Sequence, residues 1–288
     1  MTDLYKNLLS FKGAKKVMLN SLRKNKTETI DLEDSEDRVL ASEIYSKINI
    51  PEFDNSAVDG FGFINSKKIV RELKIIGESK PGKPFLGKIN NNEAVKVYTG
   101  AYVLKELTKV NTVCMEEDCE LIEGKIRLSN KFKTGTNIRN KGEDVKINDK
   151  IFQKGRKIRS MDLAQLSSMG LKRIRVYKKL RVGIFSTGDE LCETKNNKTK
   201  YQIYDANKLV LLSLFKKIGC DVTDLGIIKD NYFQTKEKIF SKLNLIDILV
   251  TTGGVSKSQT DQVGKFFKEN GKIDFWRLSI KPGRPFAF

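Results

Sequence analysis

Leu180-Arg181-Val182-Gly183-Ile184-Phe185, followed by Ser186-Thr187-Gly188-Asp189-Glu190-Leu191, is the stretch on which the fold turns. Its first six residues form an apolar run of strand length, and the polar turn behind it contains a glycine. A helical stretch follows at about 205–218, entered at Asp205 and ended at Gly219. The rhythm then repeats: a strand at 221–227, a helix at 232–243, a strand at 246–252, a helix at about 260–270 and a last strand holding Phe275-Trp276-Arg277-Leu278. Apolar runs alternating with helical ones predict a mainly parallel sheet covered on both faces. Residues 179–288 therefore read as a three-layer α/β/α domain.

The chain before this point has a different character. Residues 11–23 predict an amphipathic helix, with Ser10 as N-cap and Ala14, Val17, Met18, Ser21 and Leu22 at helical spacing. A second short helix is expected near 35–45, with Val39, Leu40 and Ile44 on one side. From Ile64 to Lys131 the runs Leu73-Lys74-Ile75-Ile76, Ala94-Val95-Lys96-Val97-Tyr98, Thr112-Val113-Cys114-Met115 and Lys125-Ile126-Arg127-Leu128 are β-type and separated by Gly, Asn and Pro turns. Residues 141–178 return to a mixed pattern with a helix at 160–169 ended by Gly170. The expected organisation is an N-terminal α+β domain (1–50 and 140–178), an inserted mainly β domain (51–139) and the α/β domain (179–288). No internal repeat or low-complexity linker interrupts it.

The 288 residues exceed one small core; charged content is high at 31%, while ordinary Gly (21) and Pro (5) counts mark a globular rather than a disordered chain. No apolar run approaches the roughly 18 residues needed to span a bilayer. The opening Met1-Thr2-Asp3-Leu4-Tyr5-Lys6 lacks the apolar core of a secretory signal. Cys114, Cys119, Cys192 and Cys220 show no Cys-x-x-Cys spacing, which argues against a zinc site or a disulfide frame and fits a reducing cytoplasm. The net charge is +18, from 54 Lys+Arg against 36 Asp+Glu. These cations are spread along the chain without an aromatic stripe or a Cys/His finger, so they point to gathering small anions rather than to nucleic acid. With no histidine, acid–base work falls to carboxylates, lysines or metal-bound water.

In open α/β sheets ligands gather beyond the carboxyl ends of the strands. Three segments fall there: Ser186-Thr187-Gly188-Asp189-Glu190, Lys229-Asp230 and Thr251-Thr252-Gly253-Gly254-Val255-Ser256. Gly253-Gly254 lets backbone N–H groups approach an anion, and the following helix adds its dipole. Read alone, that glycine pair is an ordinary turn; with Glu190, Asp230 and Asp261 nearby it reads as a site. Carboxylates around an anion crevice call for a cation, and a hard oxygen-ligated metal, Mg²⁺ first, meets the need. Asp205 reads as a helix cap. Lys281 and Arg284 flank Pro282-Gly283 and suit an oxyanion such as phosphate or molybdate, or else are solvated surface charge.

A further loop, Pro51-Glu52-Phe53-Asp54-Asn55-Ser56-Ala57-Val58-Asp59-Gly60, is punctuated by Pro and Gly and carries donors and acceptors fit for an oxyanion, a metal or a hydroxyl; a surface turn is the competing reading. Together with Tyr98-Thr99-Gly100-Ala101, Asn137-Ile138-Arg139-Asn140-Lys141-Gly142-Glu143-Asp144, Phe185 to Leu191, Leu225-Gly226-Ile227-Ile228-Lys229-Asp230, Thr252 to Ser256 and Ile280-Lys281-Pro282-Gly283-Arg284-Pro285-Phe286-Ala287-Phe288, it resembles the molybdopterin molybdenumtransferases, the MoeA type and the E domain of gephyrin. The motifs occur in family order from about residue 10 to the last residue.

The resemblance implies an enzyme of molybdenum cofactor biosynthesis that inserts molybdate into adenylylated molybdopterin and releases AMP. It implies a homodimer in which acidic loops of one subunit face the α/β domain of the other, and a contact with the molybdopterin adenylyltransferase. Carried over residue by residue, Asp59, Asp144 and Glu190 are catalytic, and Glu190, Asp230 and Asp261 hold metal. Thr99, Ser186, Thr187, Gly253, Gly254, Ser256, Lys281 and Arg284 contact substrate. Lys257-Ser258-Gln259-Thr260 departs from the family pattern, which has Gly and an acid there. The chain also stops inside a motif that the family continues, before a small C-terminal β-barrel domain. A truncated, impaired homologue or a pterin-binding scaffold module is the alternative. In that reading 273–280 forms an exposed sheet edge, with Phe275 and Trp276 open to solvent and Phe286-Ala287-Phe288 unpacked. A stand-alone adenylylating α/β protein is disfavoured by the Asp59 and Asp144 loops.

Overall fold

The computed structural model describes residues 8–22, 25–66, 72–254 and 262–288. The chain forms two compact units, one of Asp31–Asp34 with Leu40–Ile174, the other of Met1–Ile30, Ser35–Val39 and Arg175–Phe288. Among the described residues no helix is long and apolar enough to cross a membrane.

The unit containing Leu40–Ile174 is built on a six-stranded mixed sheet. Its strands, in spatial order, are Thr112–Met115, Gly60–Phe63, Glu93–Val97, Glu72–Ser79, Lys125–Leu128 and Cys119–Ile122. Three of the four apolar runs singled out in the sequence lie wholly in one of these strands, and Ala94–Tyr98 does so except for Tyr98. Successive side chains of a strand point to opposite faces, and here both faces are covered. Phe61, Phe63, Leu73, Ala94, Cys114 and Ile126 fill one side. Val95, Val97, Val103, Val110, Val113 and Ile138 fill the other. Gly60 sits where the central strand touches its neighbour: a Cβ there would stand 1.8 Å from the Cys114 carbonyl oxygen. The helix Ser160–Ser168 ends as its sequence requires, with Gly170 at φ +72°.

The expected helix at 35–45 does not form. A 3₁₀ turn spans Leu32–Ser35, and Ile44–Tyr45 is a short strand paired with Lys150–Phe152. Leu40 is fully buried in extended chain, donating to Arg156 O at 2.9 Å and accepting from Gly155 N at 2.8 Å. Three apolar residues spread over this segment satisfy either reading, and the distant backbone partners decide for the extended one.

In the other unit the sheet is parallel, in the order β2-β1-β3, with β1 Arg181–Thr187, β2 Asp221–Ile228 and β3 Ile248–Thr252. The helices are α1 Asn207–Lys217, α2 Tyr232–Phe240 and α3 Gln262–Asn270. Ile239 of α2 and Val263 and Phe266 of α3 close over Phe185, Leu225 and Ile228. This is the alternation expected from the apolar runs as far as α3, but the last strand expected at Phe275–Leu278 does not join this three-stranded sheet.

The helix Phe11–Asn20 starts at Ser10, whose hydroxyl accepts from Gly13 N at 3.1 Å, and it buries Ala14. Ala14 packs with Phe275 and Leu278, flanked by Leu9, Val17 and Met18. The exposed edge expected at 273–280 is therefore corrected. Phe275 and Trp276 are 6% and 3% exposed, and only isolated bridges join Leu278 to Leu9 and Arg277 to Pro285. Phe286 and Phe288 remain 41% and 39% exposed, although their rings stack on Phe275 with centroids 5.9 and 5.8 Å away. The expectation failed because the covering groups lie some 260 residues away and at the chain end, beyond the reach of a local pattern.

Candidate functional site

Within the first unit three motif loops are stitched together by backbone hydrogen bonds. Asn55–Ser56 pairs antiparallel with Ile138–Arg139. Ser56 N donates to Ala101 O at 2.9 Å and Ser56 O accepts from Gly100 N at 2.8 Å. Gly142 N donates to Pro51 O and Asp144 N to Ile50 O, each at 2.9 Å. Ser56 is buried, and its hydroxyl donates to Val58 O at 2.6 Å, so it builds the turn rather than facing a ligand.

The carboxylates stay at the surface of this frame. Asp59 Oδ1 accepts from Thr99 N at 2.6 Å and from Thr99 Oγ1 at 2.8 Å. Those two bonds, the backbone one foremost, hold the exposed Asp59 carboxyl below its ordinary range. Asp144 pairs with Arg139 Nη2 at 2.5 Å, and Glu143 lies 3.5 Å from Arg139 Nε. Asp54 accepts from Lys141 N at 2.7 Å and pairs with Lys105 Nζ at 2.7 Å. Its burial opposes ionisation, but Lys105 and Lys141 prevail and its pKa is lowered. Lys105 also donates to Asn140 Oδ1 at 3.1 Å, joining two loops.

In the second unit the site residues lie past the carboxyl ends of the parallel strands. Ser186 Oγ and Thr252 Oγ1 are 2.7 Å apart, linking the ends of β1 and β3. Thr187 Oγ1 donates to Asp230 Oδ1 at 3.0 Å, linking β1 to the loop after β2. Both hydroxyl residues are buried, so each braces a strand end. Asp230 N donates to Asp189 Oδ1 at 3.3 Å and Lys229 Nζ to Asp189 O at 3.1 Å. Glu190 is exposed and folds back over Gly188, where φ is +146° and a Cβ would stand 2.5 Å from Glu190 Oε2. Gly253 and Gly254 take φ +88° and +71°, the left-handed region that glycine enters without steric cost. Lys281 and Arg284 are exposed, and among the described residues no carboxylate pairs with either. Ser256 and Asp261 lie outside the described residues.

Among the described residues no group of three or more His, Cys, Asp or Glu gathers in a metal-holding cluster. Glu190 and Asp230, on neighbouring loops joined through Asp189, are hard oxygen donors. Mg²⁺ is commonly held by one or two carboxylates plus substrate phosphates, so this donor set fits it.

One residue of the frame, Lys105, had no signal as a site residue in the sequence, whereas Asp54 stood inside the quoted 51–60 loop. Lys105 lies on a single helical turn, Lys105–Thr108, and is recognisable only through its distant partners. Arg139 and Asn140 stood inside a quoted motif, where their opposite charge and amide beside Glu143 and Asp144 were the available signal.

Comparison with known proteins gives a consistent pattern. Residues 9–170 match the family model described as the MoeA N-terminal region, domains I and II, and residues 183–288 match that of a probable molybdopterin binding domain. A molybdopterin molybdenumtransferase of Haemophilus influenzae is 35% identical over 98% of this chain and 70% of its own length. A putative molybdopterin biosynthesis protein of Methanocaldococcus jannaschii is 30% identical over 99% of this chain and 73% of its own. A crystal structure of the molybdopterin biosynthesis moeA protein of Pyrococcus horikoshii OT3 superposes with a TM-score of 0.85 at 29% identity, covering 98% of this chain and 72% of that one.

Proposed function

The chain belongs to the MoeA family of molybdopterin molybdenumtransferases, and from that premise we propose that it inserts molybdate into adenylylated molybdopterin with release of AMP. This is a transferase step of molybdenum cofactor biosynthesis. The observation that carries the reading is the placement of Glu190 and Asp230 past the carboxyl ends of parallel strands, beside the paired glycines Gly253 and Gly254.

The substrate is an anionic pterin nucleotide. Backbone N–H groups at Gly253 and Gly254 suit its phosphates, and Lys281 and Arg284 suit phosphate or molybdate oxygens. Glu190 and Asp230 would hold Mg²⁺, which supplies charge neutralisation where two phosphates meet these carboxylates. Ser186 and Thr187 support the same site by bracing β3 and Asp230 through their hydroxyls. In this reading Ser256 and Asp261 complete the oxyanion and metal contacts.

Asp59 and Asp144 serve from the first unit. Thr99 keeps Asp59 ionised, and a carboxylate of lowered pKa is a poor proton acceptor near neutrality. Asp59 therefore orients a donor or a cation rather than abstracting a proton. Asp144, neutralised by Arg139, fixes the loop and adds a hydrogen-bond acceptor. A homodimer and docking of the adenylyltransferase belong to the same reading.

The test is AMP release from adenylylated molybdopterin on addition of molybdate. Release that depends on molybdate supports the reading. Tight pterin binding without release would leave a binding module in its place.

A further inference from the structure

A lysine in the first turn of a helix meets the positive end of the helix dipole, and burying its ammonium costs free energy unless anions surround it. Lys208 is in that position, second in α1, with 7% of its side chain exposed. Its Nζ lies 3.3 Å from Glu193 Oε1 and 3.1 Å from Asp224 Oδ1. Neither partner is on its own helix.

Glu193 follows the short strand Leu191–Cys192, which begins right after Glu190. That strand runs parallel to Ile203–Tyr204, and Ile203 N donates to Glu190 O at 2.8 Å. Asp205 closes the same segment: its N donates to Cys192 O at 3.0 Å and its Oδ1 accepts from Lys208 N at 3.2 Å. Among the described residues the other oxygen, Asp205 Oδ2, is buried without a hydrogen-bond partner. Glu193 is held below its ordinary range by Lys195 first and by Lys208 second.

Asp224 lies at a bulge in β2. Ile184 pairs with Asp224 but Ser186 pairs with Ile227, leaving one extra residue on β2. Gly226, at φ +78°, donates its N–H to Asp224 Oδ1 at 2.7 Å. A Cβ on Gly226 would lie 3.8 Å from Glu193 Oε1, so the bulge and the Glu190 loop meet at Lys208. A bulge re-aims the residues after it, and those residues lead to Asp230.

We propose that Lys208 is a positioning residue for the reaction: its buried ammonium clamps Asp224 at the β2 bulge and Glu193 behind the Glu190 loop, fixing Asp230 and Glu190 relative to each other. This rests on the roles given above to Glu190 and Asp230. The test measures amide hydrogen exchange and AMP release on the full chain with Lys208→Met, Lys208→Arg and Asp224→Asn. Lys238→Met, at an exposed lysine near Gly226, controls for charge.

In Lys208→Met, exchange in peptides covering 188–193 and 224–230 rises at least about tenfold while α2 is unchanged. The turnover number falls at least about tenfold with KM within about threefold, and Lys208→Arg restores both readouts. Asp224→Asn keeps an acceptor for Gly226 but loses the ion pair, gives the same local pattern, and decides the question if Lys208→Met does not fold. Unchanged exchange at the two segments, or an equal rise along the whole chain, overturns the proposal. A wild-type chain that releases no AMP overturns the functional reading instead, and the exchange pattern still decides on Lys208.

Discussion

Asp59 and Thr99 meet through a single carboxylate oxygen, which takes both the Thr99 N–H at 2.6 Å and the Thr99 hydroxyl at 2.8 Å. Among the described residues no hydrogen bond occupies the other oxygen of Asp59, and the role proposed for Asp59 uses that oxygen for a substrate or a cation. Asp59→Ala is therefore expected to lower turnover by at least about a hundredfold in a chain that still folds, because the residue is exposed and sits outside any apolar run. Thr99→Val keeps the backbone bond and is expected to lose about tenfold. Steady-state AMP release, with circular dichroism to confirm folding, checks both. Wild-type turnover in Asp59→Ala removes the residue from the site.

Gly60 shows what fixes that loop in space. A methyl group there would overlap the Cys114 carbonyl, with 1.8 Å between Cβ and oxygen, and no rotamer relieves a clash with backbone. Gly60→Ala must push two neighbouring strands of the mixed sheet apart, at a cost of more than about 3 kcal/mol. Urea unfolding monitored on this unit measures it. A shift below about 1 kcal/mol would mean that the strands separate far more easily than their packing indicates.

Most strands of the two sheets were legible as apolar runs, but Gly60–Phe63 and the largely exposed Cys119–Ile122 were not. β1 is the plainest case: six of its seven residues are buried. The same logic failed at 35–45, where burial of Leu40 depends on backbone partners at Gly155 and Arg156. It failed again at Phe275, which packs with Ala14 of an N-terminal helix and stacks on Phe288 at the chain end. At the site, carboxylates in punctuated loops were visible, but the residues that hold them were not. Lys105 and Lys208 acquire their meaning only from ion pairs with Asp54 and Asp224, and nothing local in either segment announces such a pairing.

Lys105 offers a direct measure of loop fixing. It is half-buried on a short helical turn and joins Asp54 to Asn140 at 2.7 and 3.1 Å. A partly exposed pair of this kind contributes at most about 1 kcal/mol to stability. Lys105→Met should thus shift the urea midpoint little, while the freed loops lower turnover about three- to tenfold. Loss of stability matching the loss of activity would make Lys105 a general support and not a loop clamp.

Binding of the pterin nucleotide is expected to need a divalent cation, since Glu190 and Asp230 otherwise repel its phosphates. Calorimetric titration with Mg²⁺ and with chelator compares the two conditions. At least about a tenfold weaker affinity in chelator is expected. Equal affinities would take the metal out of the site. In Asp230→Asn the repulsion is reduced, so the chelator should matter less.

Asp247 and Arg181 make a pH-dependent contribution to the α/β unit that is separate from the site. Arg181 Nη2 lies 2.8 Å from Asp247 Oδ1, and Oδ2 accepts from Arg181 N at 2.9 Å and Nε at 3.1 Å. The guanidinium first, and the backbone N–H second, bring the Asp247 carboxyl down to about 2. A carboxyl whose folded pKa lies below its unfolded value, about 3.9, adds stability that is present above the unfolded value and lost as pH falls through the folded one. More than a third of the Asp247 side chain is exposed, so solvent screens the pair and the effect is modest. Asp247→Asn should therefore be less stable than wild type by a constant margin above about pH 5, and the margin should shrink as pH falls from about 4 towards 2. Urea midpoints of the two chains at about pH 6, 4 and 3 provide the comparison. A margin that stays the same down to about pH 3 would show that the carboxyl is not held ionised by Arg181 and that the difference comes from packing alone.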